Sequence, residues 1–182
     1  MNPENVEISF VGATLAERYR VDAKIGQGIV GTVYRGEDIV EGRSVALKIF
    51  NPDVDPASAA TQKVIEDAQR ANGLGHPNLV PTLDAGVHAD RYLFVVEPLL
   101  DGQSMARRIE TTNGMDAPLV QRLVSQVLQA LDALHRANLL HLDIKPSNIF
   151  LVKDRLGLER AVLAGLGMRH VMQLEAASGK GK

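Results

Sequence analysis

The sequence predicts a mixed α+β fold, on three observations. Short β-branched and aromatic runs dominate residues 19–97. Apolar residues then recur at helical spacing over residues 120–134. Between the two halves, Pro98 and Gly102 interrupt both patterns, as a hinge between two lobes would.

The elements follow in order. Tyr19–Ile25 reads as a first strand that ends in the glycines Gly26, Gly28 and Gly31, and Thr32–Arg35 as a short second one. Glu41-Gly42 marks a turn into a third strand, Ser44–Phe50. A helix fits Pro56–Gly73, with Asp55 as N-cap, Pro56 as first helical residue and Gly73 as stop. Strands are expected again at Val80–Leu83 and Tyr92–Glu97. Val120, Leu123, Val124, Val127, Leu128, Leu131 and Leu134 give the long helix one apolar face. A loop, His141–Asn148, and two short apolar runs, Ile149–Val152 and Ala161–Leu163, complete the pattern. The end, Ala176–Lys182, reads as a disordered tail.

Composition narrows the function classes. With 45% hydrophobic and 23% charged residues in 182, the chain is globular. A formal net charge of -2 offers no basic field for nucleic acid or an anionic membrane. There is no cysteine, which excludes disulfides, thiolate metal sites and cysteine nucleophiles and fits a reducing cytoplasm. No apolar run approaches bilayer length, so the chain is read as soluble and cytoplasmic.

Three motifs carry chemistry. Gly26-Gln27-Gly28-Ile29-Val30-Gly31 matches G-x-G-x-x-G, a pattern that lets backbone approach phosphate closely. Dinucleotide-binding folds share it, but there the last glycine opens a helix; here Thr32-Val33-Tyr34-Arg35 continues as a strand. Val45-Ala46-Leu47-Lys48 follows, its lysine seventeen residues after Gly31. Strand alternation puts Ala46 and Lys48 on one face: a small residue beside room for a flat ring, and an ammonium within reach of phosphates. His141-Leu142-Asp143-Ile144-Lys145-Pro146-Ser147-Asn148 is the most specific, with His, Asp, Lys, Pro and Asn in the register of H-R-D-x-x-x-x-N.

In this order the motifs resemble those of bacterial Hanks-type serine/threonine protein kinases. Glu17–Val21 and His76-Pro77-Asn78-Leu79-Val80 are similar to further stretches of that family, and the likeness covers about residues 17–169. It implies a kinase-like two-lobed fold: an extension over 1–16, a complete β-rich N-lobe over 17–97, a partial helical C-lobe over 98–169 and a tail over 170–182. It implies ATP as ligand, bordered by Ile25, Gly26, Gly28, Gly31, Val33, Ala46, Lys48, Val96, Glu97, Leu99 and Phe150. Val96 would be the gatekeeper, and the Glu97 carbonyl and Leu99 amide would hold adenine. Asp143 would accept or orient the substrate hydroxyl proton, Lys145 would neutralise transferred charge, and Asn148 would offer an oxygen to a metal ion. His141 is expected to pack rather than ligate.

The family pattern also breaks. Gly165-Leu166-Gly167 stands where D-F-G is expected, so the magnesium-binding aspartate is replaced by Gly165, which makes Mg²⁺ binding doubtful and leaves that place without a carboxylate. Counting back from His76, the partner of Lys48 falls on Asp67, one methylene shorter than glutamate. Leu142 replaces the arginine that would meet an activation-loop phosphate. No activation segment or A-P-E follows Gly167, so the long helix is expected to need other cover: the tail, a protein partner or a continuation of the chain. The resulting expectation is an ATP-binding kinase-like module, impaired in catalysis and acting as regulator or scaffold. The alternatives are an active serine/threonine kinase completed beyond Lys182, and a nucleotide-free interaction module.

Overall fold

A computed structural model of the chain describes residues 9–28, 31–51, 55, 57–154 and 156–166. The expectations for Ile29, Val30, Pro56, Gly167 and the tail fall outside these residues.

Six strands, β1 (Thr14–Leu15), β2 (Tyr19–Gln27), β3 (Gly31–Asp38), β4 (Arg43–Phe50), β5 (Asp84–His88) and β6 (Tyr92–Pro98), form one antiparallel sheet in the order β1-β2-β3-β4-β6-β5. Alternation buries Tyr19, Val21, Tyr34, Val45, Leu47, Ile49, Phe94 and Val96 on one side, in a single apolar cluster. At the β3–β4 turn Asp38, fully buried, accepts a two-pronged bond from Arg18 (2.9 and 2.8 Å) and the amides of Val40 and Glu41 (3.2 and 3.3 Å). The Arg18 guanidinium holds the Asp38 carboxyl down at about 2, against the cost of burial. Gly36 is required by packing: a Cβ there would lie 2.2 Å from the Arg20 carbonyl oxygen.

Helix α1 (Ala59–Asn72) packs on β5 and on the face of the sheet carrying Phe50, Leu93 and Val95. Its N-cap is Ser58, whose hydroxyl accepts the Thr61 amide (3.1 Å), not Asp55; the Asp55 carbonyl receives the Thr61 hydroxyl instead (2.7 Å). Residues 80–83 are likewise not a strand. Pro81 lacks an amide to donate, and Val80 bonds sideways to the Leu163 carbonyl (2.9 Å), so β5 starts only at Asp84.

Beyond β6 the chain forms β7 (Gly102–Ser104), α2 (Met105–Thr112) and α3 (Ala117–Arg136). A single 3-10 turn (Pro146–Asn148) leads into the hairpin β8 (Ile149–Lys153) and β9 (Glu159–Leu163). β7, β8 and β9 make a second, three-stranded sheet. Leu123, Val127, Ala130 and Leu134 of α3 pack into the cluster of Leu139, Ile149, Leu151, Ala161 and Leu163. The apolar face expected for α3 is split: Val124 and Leu128 are exposed. No helix among the described residues is long and apolar enough to cross a membrane.

Two of the connections between these parts flank the cleft. One connection is the 98–102 segment; the other is Asn78–Val80, which exchanges backbone bonds with Leu163 (2.8 and 2.9 Å) and sends the Asn78 side chain to the Ala161 carbonyl (2.7 Å).

Candidate functional site

Between the joined parts lies a cavity of about 370 Å³. Ile25 and Val33 of the β2–β3 hairpin and Ala46 and Lys48 of β4 line it from above. Val95 and Glu97 line it from β6, Pro98, Leu99, Leu100 and Gly102 from the connection, and Ser147, Asn148, Phe150, Ala164 and Gly165 from below. The structure therefore gathers Ile25, Val33, Ala46, Lys48, Glu97, Leu99, Asn148, Phe150 and Gly165 around one space.

The glycines divide by cause. Gly31 pairs with Phe50, and a Cβ on it would sit 2.3 Å from the Ile49 carbonyl oxygen, so sheet packing alone demands glycine there. At Gly26 and Gly28 the nearest atoms to a Cβ are 3.9 and 3.7 Å away. The protein's own packing thus does not require glycine at either, although the Gly28 amide closes the hairpin onto the Gly31 carbonyl (2.8 Å).

The hinge reading needs a one-residue correction. Val96 is fully buried in the apolar cluster of the large sheet and does not reach the cavity; Val95 and Glu97 do. The run Leu93–Val96 is uniformly apolar, so alternation carried no phase in the sequence. The Leu99 amide donates to the Ser44 carbonyl (3.4 Å), and the same ladder, stepping by two, turns the Glu97 carbonyl toward Ala46. Neither group faces the cavity as expected. The Pro98 carbonyl, out of phase with them, points away from β4.

Lys48 is held differently from the expectation as well. Asp67 accepts from Lys63 (2.5 Å) and Arg70 (3.5 Å) of its own helix. Burial lowers the Lys48 pKa to about 8, while Glu97 and Asp143 favour its charged form and Lys145 opposes it. Nor is the Gly165 position bare of carboxylates. Glu97 Oε1 accepts the Gly165 amide (3.2 Å), a contact hidden in the sequence because the apolar run before Glu97 carries no phase. Burial raises the Glu97 pKa, and that amide and Lys48 pull it back.

Below the cavity, the His141–Asn148 loop is tied to itself. His141, buried, places Nε2 3.0 Å from the Ala164 carbonyl oxygen and takes the Asp143 amide at Nδ1 (3.3 Å); burial lowers its pKa. Asn148 donates to the Asp143 carbonyl and carboxylate, and Lys145 Nζ stands 2.7 Å from Asp143 Oδ2. Leu142 adopts φ +64°, a conformation costly for a side chain with a Cβ, which separates the anchored His141 from Asp143. Gly165 adopts φ +80°, facing the Asn148 amide. Among the described residues no three His, Asp or Glu side chains converge as a ready metal site.

Comparison with known proteins agrees with this architecture. The protein kinase domain family model matches residues 19–168. Serine/threonine-protein kinase pkn3 of Myxococcus xanthus is 34% identical over 80% of this chain, and PrkC of Bacillus subtilis is 31% identical over 81%. The matched regions are only 27% and 22% of those relatives, so the chain spans about a quarter of their length. A crystal structure of the Mycobacterium tuberculosis PknI kinase domain superposes with TM-score 0.74 at 25% identity, covering 86% of this chain and 61% of that one. The chain belongs to the protein kinase family, of the bacterial serine/threonine type, and its fold is a β-rich N-lobe with part of a C-lobe.

Proposed function

We propose that the chain is an ATP-binding kinase module that transfers phosphate poorly or not at all, acting as a regulatory or scaffold element. One observation carries this reading: a lined cavity contains Lys48, yet the turn opposite Asn148 is Gly165, which has no side chain. A nucleotide fits the residues present. Ala46, Val33, Ile25 and Phe150 offer apolar cover for a base, and the Pro98 carbonyl and Leu100 amide are the hinge groups in phase to hold its edge. Lys48 faces the phosphates, and Gly26 and Gly28 leave space beside their backbone. Bound ATP would supply the phosphoryl group for transfer.

The residues fit a kinase's metal ion less well. Asn148 brings one amide oxygen and Gly165 brings none. The Glu97 carboxylate reaches this turn, but it is engaged by the Gly165 amide. Hard cations need several oxygen ligands, and these residues do not supply them for magnesium. The expected result is that ATP raises the melting temperature equally with Mg²⁺ and with EDTA. A shift that requires Mg²⁺ would contradict it. Gly165→Asp is expected to restore little transfer, because the new Cβ takes a positive φ and meets Asn148 Nδ2 at 3.3 Å.

The second reading is an active serine/threonine kinase whose peptide-binding part lies elsewhere, in a continuation or a partner that also covers Val124 and Leu128. The assembled Asp143, Lys145 and Asn148 favour it. In that case Asp143 would orient the substrate hydroxyl and accept its proton, and Lys145 would offset charge on the transferred group. Phosphate incorporation by the wild type that is lost in Asp143→Asn would establish this reading in place of the first.

A further inference from the structure

We propose that Glu97 is the positioning residue of the cleft, replacing helix α1 as the counter-charge of Lys48 and tying that charge to the turn at Gly165. Ala46 is the partner of Glu97 and Val95 the partner of Lys48, so Lys48 and Glu97 are diagonal neighbours on the cavity face of β4 and β6. Diagonal positions are within reach of long side chains. The helix offers no competitor: Asp67 is bound by Lys63 and Arg70, and Glu66 is exposed. From the other elements Lys48 sees Asp143 and Lys145, whose charges oppose one another, and the Phe50 ring, 5.5 Å from its ammonium. Glu97 is thus the acidic group on the sheet beside Lys48, and its Oε1 also fixes the Gly165 amide at 3.2 Å.

One carboxylate therefore does the work of two. It substitutes for a helix-borne acid next to Lys48, and it braces the turn from which the acidic side chain is missing. As a consequence, the charge state of Lys48 is set within the sheet and does not depend on where α1 sits. The part of this proposal that concerns ligand affinity rests on the nucleotide reading above; the part that concerns Lys48 does not.

The test follows Lys48 by NMR of the lysine side-chain nitrogens across pH 6–11 without ligand, in wild type, Glu97→Gln, Glu97→Asp and Asp67→Asn. The expected result is a Lys48 midpoint that falls in Glu97→Gln, is largely kept in Glu97→Asp and is unchanged in Asp67→Asn. A midpoint that moves in Asp67→Asn but not in Glu97→Gln overturns the proposal, as does one that moves in neither. Should Glu97→Gln fail to fold, the wild type alone decides: the Glu97 carboxyl carbon must register the Lys48 titration step, and a flat trace there overturns the proposal. The same variants with ATP supply the second arm, in which the alkaline loss of affinity shifts to lower pH in Glu97→Gln only. If the wild type binds no ATP, the nucleotide reading fails, while the ligand-free arm still decides the role of Glu97.

Discussion

The side-chain amide of Asn148 donates to both the main-chain carbonyl of Asp143 (2.7 Å) and its carboxylate Oδ2 (2.9 Å). These two bonds fold the loop back on itself and set the Asn148 amide against Gly165, Nδ2 nearest. Asn148→Ala removes both donors at once, leaving a buried carboxylate with less support. A loss of about 1–3 kcal/mol in urea-unfolding free energy is expected. A change near zero would mean that the loop's other contacts, those of His141 and Lys145 among them, hold it without Asn148.

Nucleotide affinity should fall as pH rises through about 8, where the Lys48 ammonium is lost. Between that value and the ordinary 10.5 the folded chain carries fewer protons than the unfolded one. Stability therefore gains from this group as pH rises across the same window, while ligand binding loses up to about tenfold per unit. Isothermal titration of ATP at pH 7, 8 and 9, beside melting curves without ligand, separates the two opposite slopes. Lys48→Met should flatten both.

The glycines give contrasting mutants. Gly31→Ala is expected to unfold or severely destabilise the sheet, since its Cβ has nowhere to go beside Ile49. Gly28→Ala should leave the melting temperature unchanged or slightly raised, because nothing crowds that position and the unfolded chain loses freedom. Its effect should appear in ATP affinity instead. Equal melting losses in the two variants would remove the distinction between a packing glycine and a ligand-facing one.

Arg18 and Asp38 govern acid resistance. The Asp38 carboxyl is depressed from 3.8 to about 2, first by its bond from Arg18. This contribution to stability is therefore complete above about pH 4 and is lost as pH falls through about 2. Arg18→Ala should lower the melting temperature at pH 7 and reduce its dependence on pH between 4 and 2. Circular dichroism melts at half-unit steps measure both.

Much of the site was legible because its residues lie in motifs with a fixed spacing: the glycine hairpin, Ala46 and Lys48 on one strand face, and the loop around Asp143. What the sequence hid was phase and partnership. An unbroken apolar run from Leu93 to Val96 hides which residues face inward, so the sequence points to Val96 where Val95 and Glu97 on either side of it line the cavity, and to the backbone groups of Glu97 and Leu99. β7 is three residues long and α2 has the mixed sequence Met-Ala-Arg-Arg-Ile-Glu, so neither shows a clear period. The start of β5 depended on a tertiary choice, the bonding of Val80 to β9, that no local propensity encodes.

Asn78–Val80 and the 98–102 segment fasten the same two bodies at separate points. Two further ties cross between them, from Arg70 of α1 to the Ala137 carbonyl (2.5 Å) and from the Gly165 amide to Glu97 Oε1 (3.2 Å). Opening the cleft to exchange a bound molecule would strain these ties, whereas Ile25 and Val33 of the β2–β3 hairpin border the cavity and take part in none of them.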